Sequence, residues 1–208
     1  MTRPARTVRT RLTPEARRAQ LLECALAAFA ENGLARATHS HVAERAGVSV
    51  PAVHSYFRTR EDLVAAVLGE VEAYLIEVVS TALGGRKSVQ QALRSLAVNF
   101  SNAAREKPDI IKVWLDWSTG VRADVWPRYM ALLDRLHGIA QQLLERGKQE
   151  GVIPPALNAR AAARAYLGGG HTVALMKFSG ATPREFDAVI EHLVRSAMGL
   201  GAGEDLPD

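Results

Sequence analysis

The residues with the most suggestive chemistry lie between Thr38 and Phe57, in the stretch THSHVAERAGVSVPAVHSYF. Val50, Pro51, Ala52, His54, Ser55 and Tyr56 form a small, partly polar set at helical spacing. Small side chains let a backbone approach closely, while His and Ser offer hydrogen bonds, a combination suited to the edges of base pairs in a major groove. Covalent chemistry has no comparable support. His39 and His41 point in different directions on a helix and lack cysteine partners, which makes them a poor metal site; a phosphate contact suits His39 better. Asp116 and Asp124 lack a partner set for acid–base work, and Gly168 to Gly170 lack the strand and Lys-Ser/Thr of a phosphate loop. No enzyme activity, cofactor or metal is expected.

Two short helices and a tight turn would position those side chains. Thr38 can cap a helix that carries Val42, Ala43 and Ala46 on one face, and Gly47 supplies the positive φ that ends it. Ser49 caps a second helix from Val50 to Phe57, with Pro51 in its first turn and Val53 and Phe57 inward. Thr38, His39, Tyr56 and Arg60 would mainly position the phosphates, and Ser49 is counted with the DNA-binding residues. The same pattern fits a helical hairpin inside any α-domain, and charge bears on the choice. Residues 1–60 contain ten Arg and four Glu against a net charge of +4 for the whole chain, so the basic excess is local. Arg36, Arg45, Arg58 and Arg60 fall near the motif. Arg9 and Arg11 lead a basic arm before Pro14 that could enter a minor groove; a solvated tail is the other reading, above all for Arg3 and Arg6.

The chain of 208 residues, 48% hydrophobic, is expected to be all-α, because apolar spacing is helical almost throughout. The division expected is a basic arm at 1–12, a three-helix DNA-binding domain at 13–58, a six-helix regulatory domain at 59–202 and a disordered tail at 203–208. A first helix runs from Pro14, behind Thr13, to near Gly33. A fourth starts at Thr59 and ends at Gly84; its length joins two domains. Further helices follow Ser88, Asp109 and about Val121, the last reaching Gln149, and then Asn158 and Thr182. No apolar run is long enough to span a membrane, and the Arg-rich start lacks a signal-peptide core, which points to the cytoplasm. Cys24, alone and on an apolar face, reads as a buried thiol.

Trp114, Trp117 and Trp126 fall within thirteen residues. With Leu75, Val79, Leu96, Phe100, Ile111, Leu115, Leu133, His137, Gly170 and Val173, they could line a cavity for a small amphipathic or apolar molecule. A packed aromatic core is the alternative. In the last two helices, Phe186, Val189, Ile190, Leu193, Val194 and Ala197, with Gly168 opposite, suggest a homodimer interface of four helices; an internal core pair is the other reading. A two-fold dimer would place two reading helices on successive turns of DNA.

The arrangement resembles the TetR family of bacterial regulators along essentially the whole chain, most specifically at HVAERAGVSVPAVHSYFRTREDLV. The segments RTRLTP (Arg9–Pro14), YFRTREDLV (Tyr56–Val64) and IKVWLDWSTGVRADVWP (Ile111–Pro127) are similar to the HapR/LuxR/SmcR-type quorum-sensing master regulators within it. The resemblance implies a homodimer on a pseudo-palindromic operator, repression and activation of many genes at high cell density, and a six-helix ligand and dimerisation domain. His54, Ser55 and Pro51 depart from the pattern, so no known operator carries over. A local repressor released by a hydrophobic ligand and a helical protein-binding adaptor are the rival readings.

Overall fold

The structure is a computed structural model that describes residues 12–121 and 124–201. The described residues form nine α-helices and no strand: α1 (Pro14–Asn32), α2 (His39–Ala46), α3 (Val50–His54), α4 (Arg60–Leu83), α5 (Val89–Glu106), α6 (Pro108–Thr119), α7 (Trp126–Gln149), α8 (Ala159–Ser179) and α9 (Pro183–Met198). The chain packs as two compact units, Met1–Val67 and Leu68–Asp208. The division falls inside α4, not before it, since Leu63, Val64 and Val67 are buried with the first unit.

In the first unit, Thr13 Oγ1 accepts the Ala16 amide at 3.2 Å and Pro14 sits where a missing N–H removes no helical bond, so α1 starts cleanly. Leu21, Leu22, Ala25 and Phe29 fall on one face and are buried, as are Val42 of α2, Val53 of α3 and Phe57 just after it. Helix α1 packs on α2 and α2 on α3. Gly47 takes φ 64° and ψ 37°, the left-handed conformation that a Cβ disfavours, and so turns the chain between α2 and α3.

In the second unit α8 packs against α5, α7 and α9. Its Tyr166, 5% exposed, donates its hydroxyl to the Leu93 carbonyl of α5, which accounts for a buried polar atom amid an apolar layer. Helix α7 begins at Trp126, five residues later than its pattern suggests. Pro127 favours a first turn, and the Val125 carbonyl at the N-cap accepts both the Tyr129 amide at 3.2 Å and the Trp117 indole N–H at 3.0 Å, which anchors this end of α7 to α6. An Arg128–Glu72 pair, bonded through Nε at 2.8 Å and Nη2 at 2.6 Å, ties α7 to α4. No helix among the described residues is long and apolar enough to cross a membrane.

Candidate nucleic-acid interface and ligand cavity

Helix α3 is shorter than its sequence pattern implies, ending at His54 instead of Phe57. Ser55 Oγ donates back to the Ala52 carbonyl at 2.7 Å, and Phe57 is 2% exposed, so the chain turns inward to bury the ring. The Phe57 carbonyl accepts the Nε2–H of His39 at 2.8 Å. His39 is therefore corrected from a DNA contact to a support: 7% exposed, it holds the end of the reading segment and stacks on His54 with ring centroids 3.9 Å apart and planes at 10°. His54 in turn gives its Nδ1–H to the Arg58 carbonyl at 3.1 Å. A carbonyl only accepts, so this bond fixes the tautomer and leaves Nε2 as the outward atom.

Ser49, Pro51, His54 and Ser55 are exposed, and Val50, Ala52 and Tyr56 half-buried, which makes one face of small and polar groups backed by buried Val53. Ser49 stands at the N-cap of α3 without a side-chain cap bond. Thr38 stands at the N-cap of α2, where its amide donates to His41 Nδ1 at 3.3 Å; His41 fills the place a glutamate often takes.

Arg60 is a second correction. Its Nε donates to the Ala37 carbonyl at 3.2 Å and its Nη2 to that of Leu34, so the guanidinium clamps the α1–α2 loop instead of standing free for phosphate. Arg36 is similarly engaged by the Asn32 carbonyl, and Arg45 pairs with Glu31. Arg58, exposed and with no side-chain bond among the described residues, is the cation that sequence spacing alone could not single out. Arg9 and Arg11 lie outside the described residues. Cys24 is half-buried instead of buried, and burial pushes its thiol pKa up.

The second unit encloses a cavity of about 440 Å³. Leu75, Val79, Leu96, Phe100, Trp114, Leu133, His137, Gly170 and Val173 line it as expected. Ile111, 0% exposed, is packed in the core, and Leu115 is not in the wall. Trp117 and Trp126 flank Tyr129, with centroids 5.3 Å from it in both cases, and do not reach the cavity: their indoles are core packing. The wall gains Tyr129, Met130, Asp134, Leu136, Arg164, Tyr166, Leu167 and His171, which belong to the α7 and α8 faces turned toward α5 and α6 and carry no motif.

Polar groups gather at two places on that wall. His171 Nε2 lies 2.9 Å from Ser118 Oγ, its ring centroid is 4.2 Å from that of Trp114, and burial lowers its pKa. Tyr129 bonds to Ser118 and Trp114, yet burial dominates and raises its phenol pKa. At the rim, His137 stands between Asp134 and Arg164. Burial first, then the Arg164 charge, lower its pKa; Asp134 opposes them, and Arg160 adds to the lowering. His137 Nδ1 is shut off from solvent without a hydrogen-bond partner.

The expected dimer stripe divides. Ile190, Val194 and Ala197 are 4%, 1% and 2% exposed within the single chain, covered where α9 packs on α5 and α8, and are corrected to subunit core. Leu193, half-buried, and Gly168, exposed, also line the cavity. A Cβ on Gly169 would lie 2.5 Å from a Leu193 methyl, so the small residues of α8 serve its approach to α9 of the same chain. Phe186 and Val189 remain half-buried, while Leu175 (58%) and Phe178 (41%) on α8 are exposed apolar residues that sequence reading missed.

Residues 21–67 match the family of bacterial regulatory proteins named tetR. The chain is 40% identical over 130 residues to the HTH-type transcriptional regulator LuxR of Vibrio harveyi, a match that takes in 61% of this chain and 62% of that protein. It is 27% identical over 122 residues to the HTH-type transcriptional regulator BetI of Escherichia coli K12, covering 57% and 63%. The chain thus spans less than two thirds of either relative. A TetR-like transcriptional regulator from Rhodococcus superposes with a TM-score of 0.74 at 22% identity, over 90% of this chain and 96% of that one. The transcriptional regulator FadR of Bacillus subtilis, solved with stearoyl-CoA, gives 0.71 at 22%, over 86% and 98%. At these identities the two structures establish the fold.

Proposed function

We propose that this chain, whose N-terminal domain belongs to the tetR family of bacterial regulatory proteins, is a transcriptional regulator that binds a pseudo-palindromic operator as a homodimer. The observation that carries the reading is the face of α3. Its exposed groups are small or hydrogen-bonding, its buried face is wholly apolar, and the surrounding side chains are bonded so as to hold it in place. Phosphate attraction comes from Arg58 and from Arg9 and Arg11 of the basic arm. The division of labour proposed is a reading domain that runs to Val67, within α4, and a regulatory domain from Leu68 onward.

The dimer would form through the exposed apolar residues of α8, Leu175 and Phe178, with Phe186 and Val189 of α9. The expected outcome for Phe178→Glu with Leu175→Glu is a monomer in sedimentation that keeps its helical spectrum. The likeness to quorum-sensing master regulators at RTRLTP, YFRTREDLV and IKVWLDWSTGVRADVWP supports a role at many promoters. The cavity favours a second reading, a local repressor released when an amphipathic molecule fills it. Sequencing the fragments of genomic DNA retained by the purified protein at near-physiological salt separates the two. Many dispersed sites sharing a pseudo-palindrome support the first, and one site beside its own gene the second; fragments without a shared site would remove both.

A further inference from the structure

We infer that the cavity of the second unit takes a monocarboxylic acid with an apolar chain, its head group held by Arg164; this deepens the reading of that unit as ligand-binding. The body of the cavity is aliphatic and aromatic, with Leu75, Leu96, Phe100 and Val173 among its walls, and asks for an apolar chain. Its rim does not. Arg164 lines the opening and makes no ion pair or hydrogen bond among the described residues. His137 lines the same space with the rest of its ring, while its Nδ1 is packed out of reach of that space and of solvent. A carboxylate satisfies the arginine, since it accepts two parallel hydrogen bonds from a guanidinium. Asp134 at the same rim repels a second acidic group, so a monoacid fits better than a diacid.

The test uses the full-length protein, with tryptophan fluorescence and calorimetry reporting binding of decanoic acid, decanol and decylamine. The acid should bind roughly tenfold or more tighter than the alcohol, as one charge-assisted bond implies. Arg164→Gln should remove that preference and leave decanol unchanged; Arg164 is exposed, and a helical spectrum checks that its fold survives. Equal binding of acid and alcohol, or a preference that survives Arg164→Gln, would overturn the head-group assignment while leaving the cavity a binding site. A preference for the amine would move the anchor to Asp134 and overturn it too. If none of the three binds, the ligand-binding reading itself fails along with this one.

A separate observation concerns the base reader. We propose that His54 selects the exocyclic amino group of adenine or cytosine, an inference that rests on the DNA-binding reading. The Arg58 carbonyl takes its only N–H, and stacking on buried His39 fixes the ring plane, so Nε2 is presented as an acceptor. Acceptors in a major groove meet adenine N6 and cytosine N4, and are repelled by guanine O6 and thymine O4. Ser55 reinforces the pattern, because its hydroxyl proton lies on the Ala52 carbonyl. The operator would be selected from a random duplex pool by the wild type and by His54→Phe. A preference for adenine or cytosine at one half-site position should vanish in the variant. Replacing that base by purine or by pyrimidin-2-one, which lack the amino group, should weaken only the wild type. Guanine or thymine at that position, or equal weakening of both proteins, would refute the assignment; failure to select any duplex would instead remove the DNA-binding reading.

Discussion

In the first unit several polar side chains around α3 are committed to the protein's own backbone, whereas in the second unit a set of polar groups lines a cavity. Arg60 and His39 each hold carbonyls on neighbouring segments, and His54 holds that of Arg58. By contrast Arg164 has an unmet charge beside a cavity of about 440 Å³. Internal bonding makes a rigid face whose few free groups carry information. An unpaired charge beside a cavity fits the ligand-binding reading proposed above, because a ligand would supply its partner.

The comparison breaks most visibly in the first unit's core. Phe57→Ala removes a ring that is 2% exposed and also loosens the carbonyl that His39 holds. A loss of about 3–5 kcal/mol is expected for that unit. All three tryptophans lie in the second unit, so fluorescence follows it alone while far-ultraviolet circular dichroism follows both. The expected outcome in urea is an early dichroism step that carries DNA binding with it and an unmoved fluorescence step. One shared, shifted transition would mean that the units do not unfold separately.

In the second unit Tyr166→Phe is the matched experiment. It strips a donor from the buried Leu93 carbonyl and should lower the unfolding free energy read from the fluorescence transition by about 1–3 kcal/mol, moving its midpoint down. An unchanged midpoint would show that the carbonyl finds another partner and that the layer between α5 and α8 is more adaptable than its packing implies.

How far these differences were legible in the sequence follows from where the signals are local. Thr13, Gly47, Gly180, Gly199 and the Thr182–Glu185 box act within a few residues of themselves, so helix boundaries were readable to within a residue or two at most ends. Helix α3 was not, because it stops where the Phe57 carbonyl meets His39, eighteen residues earlier. Arg60 and Arg58 look alike in composition, and only the carbonyls of Leu34 and Ala37 distinguish them. The apolar stripe of α9 had the right period but an undetermined partner: Ile190 and Val194 are covered by their own chain. Trp114 and Trp117 share a helix face, yet only the first reaches the cavity, a matter of where α7 crosses α6. Tyr129, Arg164 and His171 had no local signature.

The two arginines give a smaller and more selective test of the first unit. Arg58→Ala should reduce the slope of log binding constant against log salt by about one, as one phosphate contact does. Arg60→Met should leave that slope unchanged and instead lower stability by about 1–3 kcal/mol, since two carbonyls lose a charged donor. The double variant Arg9→Ala with Arg11→Ala should lower the slope by about two. A slope change in Arg60→Met would return that side chain to the phosphate contacts and blur the contrast between the units.

The smallest effect is expected with pH and belongs to the second unit. Burial lowers the pKa of both His137 and His171, so in the folded state they stay neutral at acidities where the unfolded chain has begun to take up protons. Above the ordinary histidine value of about 6.5 both states are neutral and the two residues contribute no pH dependence. Below it the unfolded state binds more protons, and stability falls as pH drops towards the folded values. His137 sits between the charges of Asp134 on its own helix and Arg160 and Arg164 on α8, while His171 meets Ser118 and Trp114 of α6. The fluorescence midpoint should therefore be flat above neutrality and decline on mild acidification, before carboxylates titrate. His137→Gln with His171→Gln should flatten the decline. If the wild-type midpoint rose instead, protonation would be favoured in the folded state, which requires that a carboxylate such as Asp134 outweigh burial and both arginines at the rim.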